Sequence, residues 1–184
     1  TLRAGDIVKI KQTVPQESSI QAEDLPIEVL YEDDYLIALN KPPRQLVHPA
    51  GRTTSGTLSN ALAYYLKQSG RPVCFHPIHR LDRDTSGCVL FAKSADIQRE
   101  LEKQRDTHTL ARTYHALVAG IPTETQGTIT LPIGAHPTLA NRRAVRDDGD
   151  PAITHYQTVA TYDNAALIEL NLETGRTHQI RLHL

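Results

Sequence analysis

Residues 79–92 read His79-Arg80-Leu81-Asp82-Arg83-Asp84-Thr85-Ser86-Gly87-Cys88-Val89-Leu90-Phe91-Ala92. The second part, Cys88 to Ala92, is a short apolar run of strand length and predicts a buried strand. The first part is dense in charge: five of the nine residues from His79 to Gly87 are His, Arg or Asp. Charges that lead into a core strand need partners, or their desolvation is costly. A carboxylate between Arg80 and Arg83 is expected to stay ionised, because opposite charges favour the charged form. An ionised Asp82 suits nucleophilic attack or stabilisation of a cation better than general acid work. A structural ion-pair turn closed by Thr85-Ser86-Gly87 accounts for the same residues equally well.

Working outward, Val29-Leu30-Tyr31 and Tyr35-Leu36-Ile37-Ala38-Leu39 flank Glu32-Asp33-Asp34 and predict a hairpin, closed by Pro42-Pro43. Leu58, Ala61, Leu62, Tyr65 and Leu66 form a helical stripe, with Thr54 or Ser55 as its cap and Gly70 and Pro72 at its end. Ser94 is expected to cap a helix through Gln104, with Ile97 and Leu101 inward. Further strands are expected over 113–118, 128–131, 153–162 and 167–172, and a long polar loop over 134–151. Many strands with few helices indicate an α+β fold. The sheet is expected to be mixed and mostly antiparallel, flanked by helices and loops. Upstream, residues 1–11 predict a strand and residues 12–26 a polar linker with Pro15. The body is expected to run from 27 to 184.

A chain of 184 residues holds one domain with a real core and a small appendage. Its 39% hydrophobic and 22% charged residues are those of an ordinary globular protein. No apolar stretch reaches membrane-spanning length, and the N-terminal residues carry no signal-peptide pattern. The two cysteines give no disulfide framework, so a cytoplasmic protein with free thiols is expected. There is no methionine, and Leu184 falls inside an apolar-patterned stretch, so a fragment lacking part of its C-terminal region is expected. The net charge of −1 hides an asymmetry: residues 12–34 hold seven acids and no Lys or Arg, leaving +6 elsewhere. A mildly basic body with clustered arginines is compatible with phosphate contact, although most such arginines are simply solvated.

Two further segments can carry chemistry. In Arg112 to Gly120, Tyr114 alternates with Ala116 and Val118 and shares their strand face. A lone tyrosine there is usually a sheet-face residue; its functional alternative is a stacking platform for a base. In Glu173 to Leu184, polar and apolar residues alternate after Gly175, and a helix opening at Thr177 fits as well. Arg181 reads as a surface arginine or as the partner of an ionised Asp82. Metal chemistry is poorly supported. Cys74, His76 and His79 lack a second ligand pair at zinc spacing. No phosphate-cradling glycine loop and no nucleophile elbow is present.

Taken together, these segments resemble one family. HRLDRDTSG followed by CVLFAKS, RTYHALVAG, LETGRTHQIRLHL, and upstream LYEDDYLIALNKP and LVHPAG are similar, in order, to the RluA-type RNA pseudouridine synthases. The resemblance spans about Ile27 to Leu184. Residues 1–11 resemble the tail of a small RNA-binding module that often precedes that domain. The implied fold is the pseudouridine synthase catalytic fold, with an active-site cleft across the sheet. Asp82 matches the catalytic aspartate, Tyr114 the tyrosine against the target base, and Arg181 the basic partner of the aspartate. Ile180 matches an apolar residue of the base pocket and Arg80 an arginine contacting RNA; His79 and Arg83 join Arg80 as RNA-binding candidates. One departure stands out: where the family usually has a glycine between Lys41-Pro42-Pro43 and His48-Pro49, this chain has Arg44-Gln45.

The resemblance implies isomerisation of uridine to pseudouridine in ribosomal large-subunit or transfer RNA. The uridine leaves its stack, and charge developing at the sugar meets a carboxylate. No metal or cofactor is needed, the partner is RNA rather than a membrane, and a monomer is expected. Two rivals remain: a noncatalytic RNA-binding or assembly module on the same fold, and a metal-dependent nuclease using His79, Asp82 and Asp84.

Overall fold

Strand β1 (Val29–Glu32) and strand β2 (Leu36–Lys41) form the expected hairpin. Asp33 turns the chain, because its Oδ1 accepts the amide protons of Tyr35 and Leu36, both at 2.8 Å. Such local side-chain acceptance is why Asp favours turns. The computed structural model describes residues 18–184. The strand expected over 1–11 and the start of the 12–26 linker lie outside the described residues. The chain divides into two compact units between Leu101 and Glu102.

The first unit continues with helix α1 (Leu58–Gln68), strand β3 (His76–Pro77), strand β4 (Gly87–Ala92) and the start of helix α2 (Ala95–Asp106). Its four strands lie in the order β1-β2-β4-β3, all antiparallel. The two apolar runs are the central pair, in register from Leu36 opposite Ala92 to Lys41 opposite Gly87. Ile37, Leu39, Val89 and Phe91 are each fully buried there. The α1 stripe packs Leu58, Leu62 and Leu66 on the same core. Burial of side chains this size contributes roughly 1.5–3 kcal/mol each before entropy is charged against it. Ser94 caps α2 as expected, accepting from the Ile97 amide at 3.3 Å, and Ile97 and Leu101 are half-buried. Residues 18–26 form no helix or strand, yet they bond to the body: Ser18 N–H to the Val73 carbonyl and Glu23 N–H to the Asn60 carbonyl.

The α1 cap differs from the expected Thr54 or Ser55. Thr57 is the N-cap; its Oγ accepts from Asn60 N–H at 3.3 Å, and Asn60 Oδ1 accepts from Thr57 N–H at 3.0 Å. This is a capping box closed by Asn instead of the usual Glu or Gln, so the sequence signal was weak.

The second unit contains strands β5 (Thr113–Ala119), β6 (Gln126–Ile129), β7 (Ile133–Ala135), β8 (Arg143–Val145), β9 (Thr154–Tyr162) and β10 (Ala165–Leu172), then helix α3 (Gln179–His183). One antiparallel sheet has the order β5-β10-β9-β6, and β7 and β8 form a separate ribbon. Apart from Ile133, that ribbon lies inside the stretch expected to be a loop. Three-residue strands are too short for alternation to show, and Ala135 pairs with Arg143 across an irregular turn. Tyr114, Ala116 and Val118 of β5 sit opposite Leu170, Ile168 and Ala166 of β10. These residues form the unit's apolar cluster. The α+β expectation is met, and every strand pair between these elements is antiparallel. No helix among the described residues is long and apolar enough to cross a membrane.

The capping box makes a direct test. Thr57→Ala removes a fully buried hydroxyl and is expected to lower stability by about 1–2 kcal/mol. Urea unfolding measures this as a lower midpoint, with Thr57→Ser close to wild type.

Candidate active site

The charged loop is built into the first unit from both ends. Upstream, Ile78 is buried and its N–H bonds to the Leu90 carbonyl at 2.9 Å. His79 accepts the Leu90 amide proton on Nε2 at 3.4 Å. Downstream, Gly87 opens β4 with φ +130°, a conformation that L side chains rarely adopt. Between them, Thr85 N–H bonds to the Asp82 carbonyl at 3.1 Å and closes a turn. Asp82 is half-buried, whereas Arg80, Arg83 and Asp84 are exposed.

Beneath this loop lies a residue that the motif reading did not select. Lys41 ends β2 and is 0% exposed. Its ammonium donates to three carbonyls: Pro42 and Gln45 at 2.8 Å and Arg83 at 3.1 Å. An ammonium has three donors and no acceptor, so three carbonyls satisfy it. Burial holds its pKa below the ordinary lysine value, against the opposing pull of the Asp84 and Asp82 carboxylates. Lys41 thus links the 42–45 segment to the Asp82 loop. In that segment Arg44 has φ +67°. The departure from the family's usual glycine therefore falls where the backbone is left-handed, and an arginine bears the strain there.

His48 forms the next part of this wall. Its Nδ1 lies 3.1 Å from Ser59 Oγ, whose own proton goes to the Val47 carbonyl at 2.8 Å. The serine oxygen can therefore only accept, and His48 Nδ1 donates. Burial lowers the His48 pKa, and the positive charge of Arg80 lowers it further. The imidazole is thereby favoured in its neutral form near Arg80.

The second unit holds the remaining candidates. Tyr114 is half-buried on β5, against Ile168, Leu170 and Ala166, and Ile180 of α3 packs on the same cluster. Arg181 follows Ile180 and is exposed. The helix starts from His178 in the left-handed region, φ +61°, with no side-chain cap.

His79, Arg80, Asp82 and Arg83 thus share one loop of the first unit, and Tyr114 and Ile180 share one cluster of the second. A cavity of about 380 Å³ in the second unit, walled by Arg105, Arg112 and His155, contains none of them. Among the described residues no three His, Cys, Asp or Glu side chains converge as metal ligands. The trio His79, Asp82 and Asp84 is therefore not such a group. Lys41 and His48 were missed because a lone Lys at a strand end and a His before Pro49 usually mark solvated surface. The available signal was that Lys41 shares the face of β2 that carries Ile37 and Leu39.

Lys41→Met keeps length and apolar stem but leaves the three carbonyls without their donor. A loss of about 2–3 kcal/mol is expected. Because the folded pKa is lowered, the unfolded chain binds more protons as pH approaches the ordinary lysine value from below. Wild-type stability therefore rises with pH through that alkaline window. Denaturation across the window should show the rise in wild type and a flatter profile in Lys41→Met.

Residues 35–184 match the family described as RNA pseudouridylate synthase. Ribosomal large subunit pseudouridine synthase D of Nitrosomonas europaea is 42% identical over 168 residues, 91% of this chain and 48% of that protein. Its namesake in Haemophilus influenzae is 38% identical, over 98% of this chain and 55% of that protein. The relative named uncharacterized RNA pseudouridine synthase YhcT of Bacillus subtilis is 39% identical, over 100% of this chain and 61% of that protein. The chain spans about half the length of the curated relatives it matches. In fold it is similar to human RNA pseudouridylate synthase domain containing 1, with TM-score 0.71 at 22% identity over 91% of this chain and 66% of that one. Domain containing 4 gives TM-score 0.69 at 24% identity, over 85% and 63%. With its motifs, the family match and these relatives in agreement, the chain belongs to the RNA pseudouridylate synthase family, in its RluA-type branch.

Proposed function

We propose that this chain carries the catalytic core of an enzyme that isomerises uridine to pseudouridine in structured RNA. The observation that carries this reading is the Asp82 loop: a half-buried carboxylate on a turn whose backbone is tied down by a buried ammonium. Relatives named for the large ribosomal subunit favour that RNA as substrate, with transfer RNA second. The enzyme acts in the cytoplasm, as a monomer, on RNA and without a small-molecule cofactor. The catalytic domain runs from residue 27 to 184, after a linker over 12–26 and the tail of an RNA-binding module over 1–11.

The chemistry is redox-neutral. The bond from the sugar C1′ to uracil N1 breaks, the base turns, and C1′ bonds to C5. The C5 proton leaves and N1 gains one, so atoms and electrons balance. Charge on the sugar is stabilised by a carboxylate, as in glycoside cleavage. Asp82 serves this step by bonding to sugar or base, or by taking a sugar proton. Tyr114 and Ile180 offer the detached uracil an apolar face, which favours recombination over escape. The assignment of Tyr114 is supported by its place in the same cluster as Ile180. By its match to the family motif, Arg181 takes the part of the family's basic residue that serves the catalytic aspartate. Arg80, Arg83 and His79 contact the RNA backbone, where cations supply most of the affinity. The flipped uridine is reached outside its stack.

Loss of the C5 proton gives the test. RNA carrying tritium at uridine C5 and lacking pseudouridine is incubated in EDTA with the full-length protein or its Asp82→Asn variant. Wild type should release tritium, and the variant should lose at least about a thousand-fold in rate while still retaining RNA. Release by both proteins would refute the role of Asp82. RNA binding without release by either would leave the noncatalytic RNA-binding module as the account. RNA cleavage that appears only when magnesium replaces EDTA would establish the nuclease instead.

A further inference from the structure

Helix α3 has five residues, Gln179–His183, and no side chain caps its start. Helices this short do not persist on local bonds alone. Burial of Ile180 supplies attraction but little direction, since apolar contact is not directional. Direction comes from two buried polar side chains at the ends of the helix, Gln179 and His183, 3% and 9% exposed.

Their hydrogen bonds form one chain of fixed sense. His183 Nε2 lies 2.9 Å from the Leu131 carbonyl, and Nδ1 lies 2.9 Å from Thr154 Oγ. A carbonyl only accepts, so Nε2 carries the proton and, in the neutral ring, Nδ1 accepts from the Thr154 hydroxyl. The same hydroxyl oxygen accepts from Gln179 Nε2 at 2.9 Å, and the second Nε2 proton goes to the Ile153 carbonyl at 3.0 Å. Gln179 Oε1 accepts from the Thr174 hydroxyl at 2.8 Å and from Arg176 N–H at 2.9 Å. The Thr174 oxygen in turn accepts from Ile153 N–H at 2.8 Å. With the amide reversed, its oxygen would face the Ile153 carbonyl and its NH2 the Arg176 N–H. One amide orientation and one tautomer therefore satisfy the whole network. Thr154, 0% exposed at the start of β9, is its centre.

We propose that Gln179 and His183, acting through Thr154, are positioning residues that set the orientation of α3 and so of Ile180 and Arg181. None of the three touches the reacting atoms in this account. Their role is to leave one direction open to Ile180 and Arg181, which lie between Gln179 and His183. The proposal rests on the pseudouridine reading for its catalytic consequence, but not for the bond chain itself.

The test uses the full-length protein and the pair Thr154→Val and Thr154→Ser. Val keeps the shape and deletes the hydroxyl; Ser keeps the hydroxyl. In Thr154→Val, kcat for tritium release should fall about a hundred-fold, with KM for RNA little changed, because displacement near the chemistry affects rate more than binding. Thr154→Ser should recover most of kcat. A merely structural role predicts lower thermal stability with kcat intact, and that result overturns the proposal. The second measurement is NMR of the wild type labelled with 15N-histidine. His183 should show a protonated Nε2 and an unprotonated Nδ1; the opposite tautomer overturns the proposal even if Thr154→Val fails to fold. Wild type without tritium release but with the expected tautomer would sink the pseudouridine reading, and with it the catalytic consequence, while the bond chain stands.

Discussion

The interaction on which the rest of the first unit depends is the burial of one ammonium. Lys41 carries its charge to the end of the most enclosed strand, where water cannot reach it. Burying an unpaired charge costs far more than a domain can tolerate. Three carbonyl oxygens must therefore surround Nζ, and two of them come from the segment just after β2. The third belongs to Arg83, which lies 42 residues further along. The strand register that sets Lys41 opposite Gly87 brings that carbonyl within reach. A cation is thus used to fix the backbone of the loop that bears Arg80, Asp82 and Arg83. The carboxylates of Asp82 and Asp84 pull the Lys41 proton affinity upward against burial, so the loop also helps to hold the charge that holds it.

The second unit orders its own irregular stretch with a chain of side-chain hydrogen bonds in place of a buried lysine. The segment after β10 must present Ile180 and Arg181 on a helix too short to stand by itself. The apolar cluster under Tyr114 and Ile180 supplies attraction. The Gln179–Thr154–His183 chain supplies direction. In each unit a fully satisfied buried polar group organises a short irregular stretch that bears the candidate residues. Partly satisfied, either network would be worse than an apolar core, because an orphaned buried donor or acceptor costs more than its bond gains.

Much of this was legible from residue order alone, and the reasons are physical. The β2 run is continuous in apolar residues because both its faces are covered, whereas β4 buries Val89 and Phe91 but leaves Cys88 exposed on its other face, and the α1 stripe repeats with the helical period. Tyr114, Ala116 and Val118 alternate because β5 has one covered face. The candidate residues were legible because several motifs occur in order. What escaped was set by unusual local partners, by strands too short to show a period, or by partners distant in sequence. Thr57 was passed over as a cap because its reciprocal partner is Asn60. The β7–β8 ribbon is too short for any period to show. Lys41 was not selected, because nothing near it in sequence announces the Arg83 carbonyl. His183 looked like one of nine histidines until Leu131 and Thr154 were seen around it.

The most direct test of the central constraint is an NMR pH titration of the wild-type protein labelled with 15N-lysine, following each Nζ. Lys41 should titrate below the ordinary lysine value of 10.5. Its ammonium protons should also exchange slowly enough with water to be observed, while exposed Lys67 and Lys103 exchange rapidly. A Lys41 signal that titrates and exchanges like those surface lysines would contradict the buried ammonium, and with it the explanation of how the Asp82 loop is held.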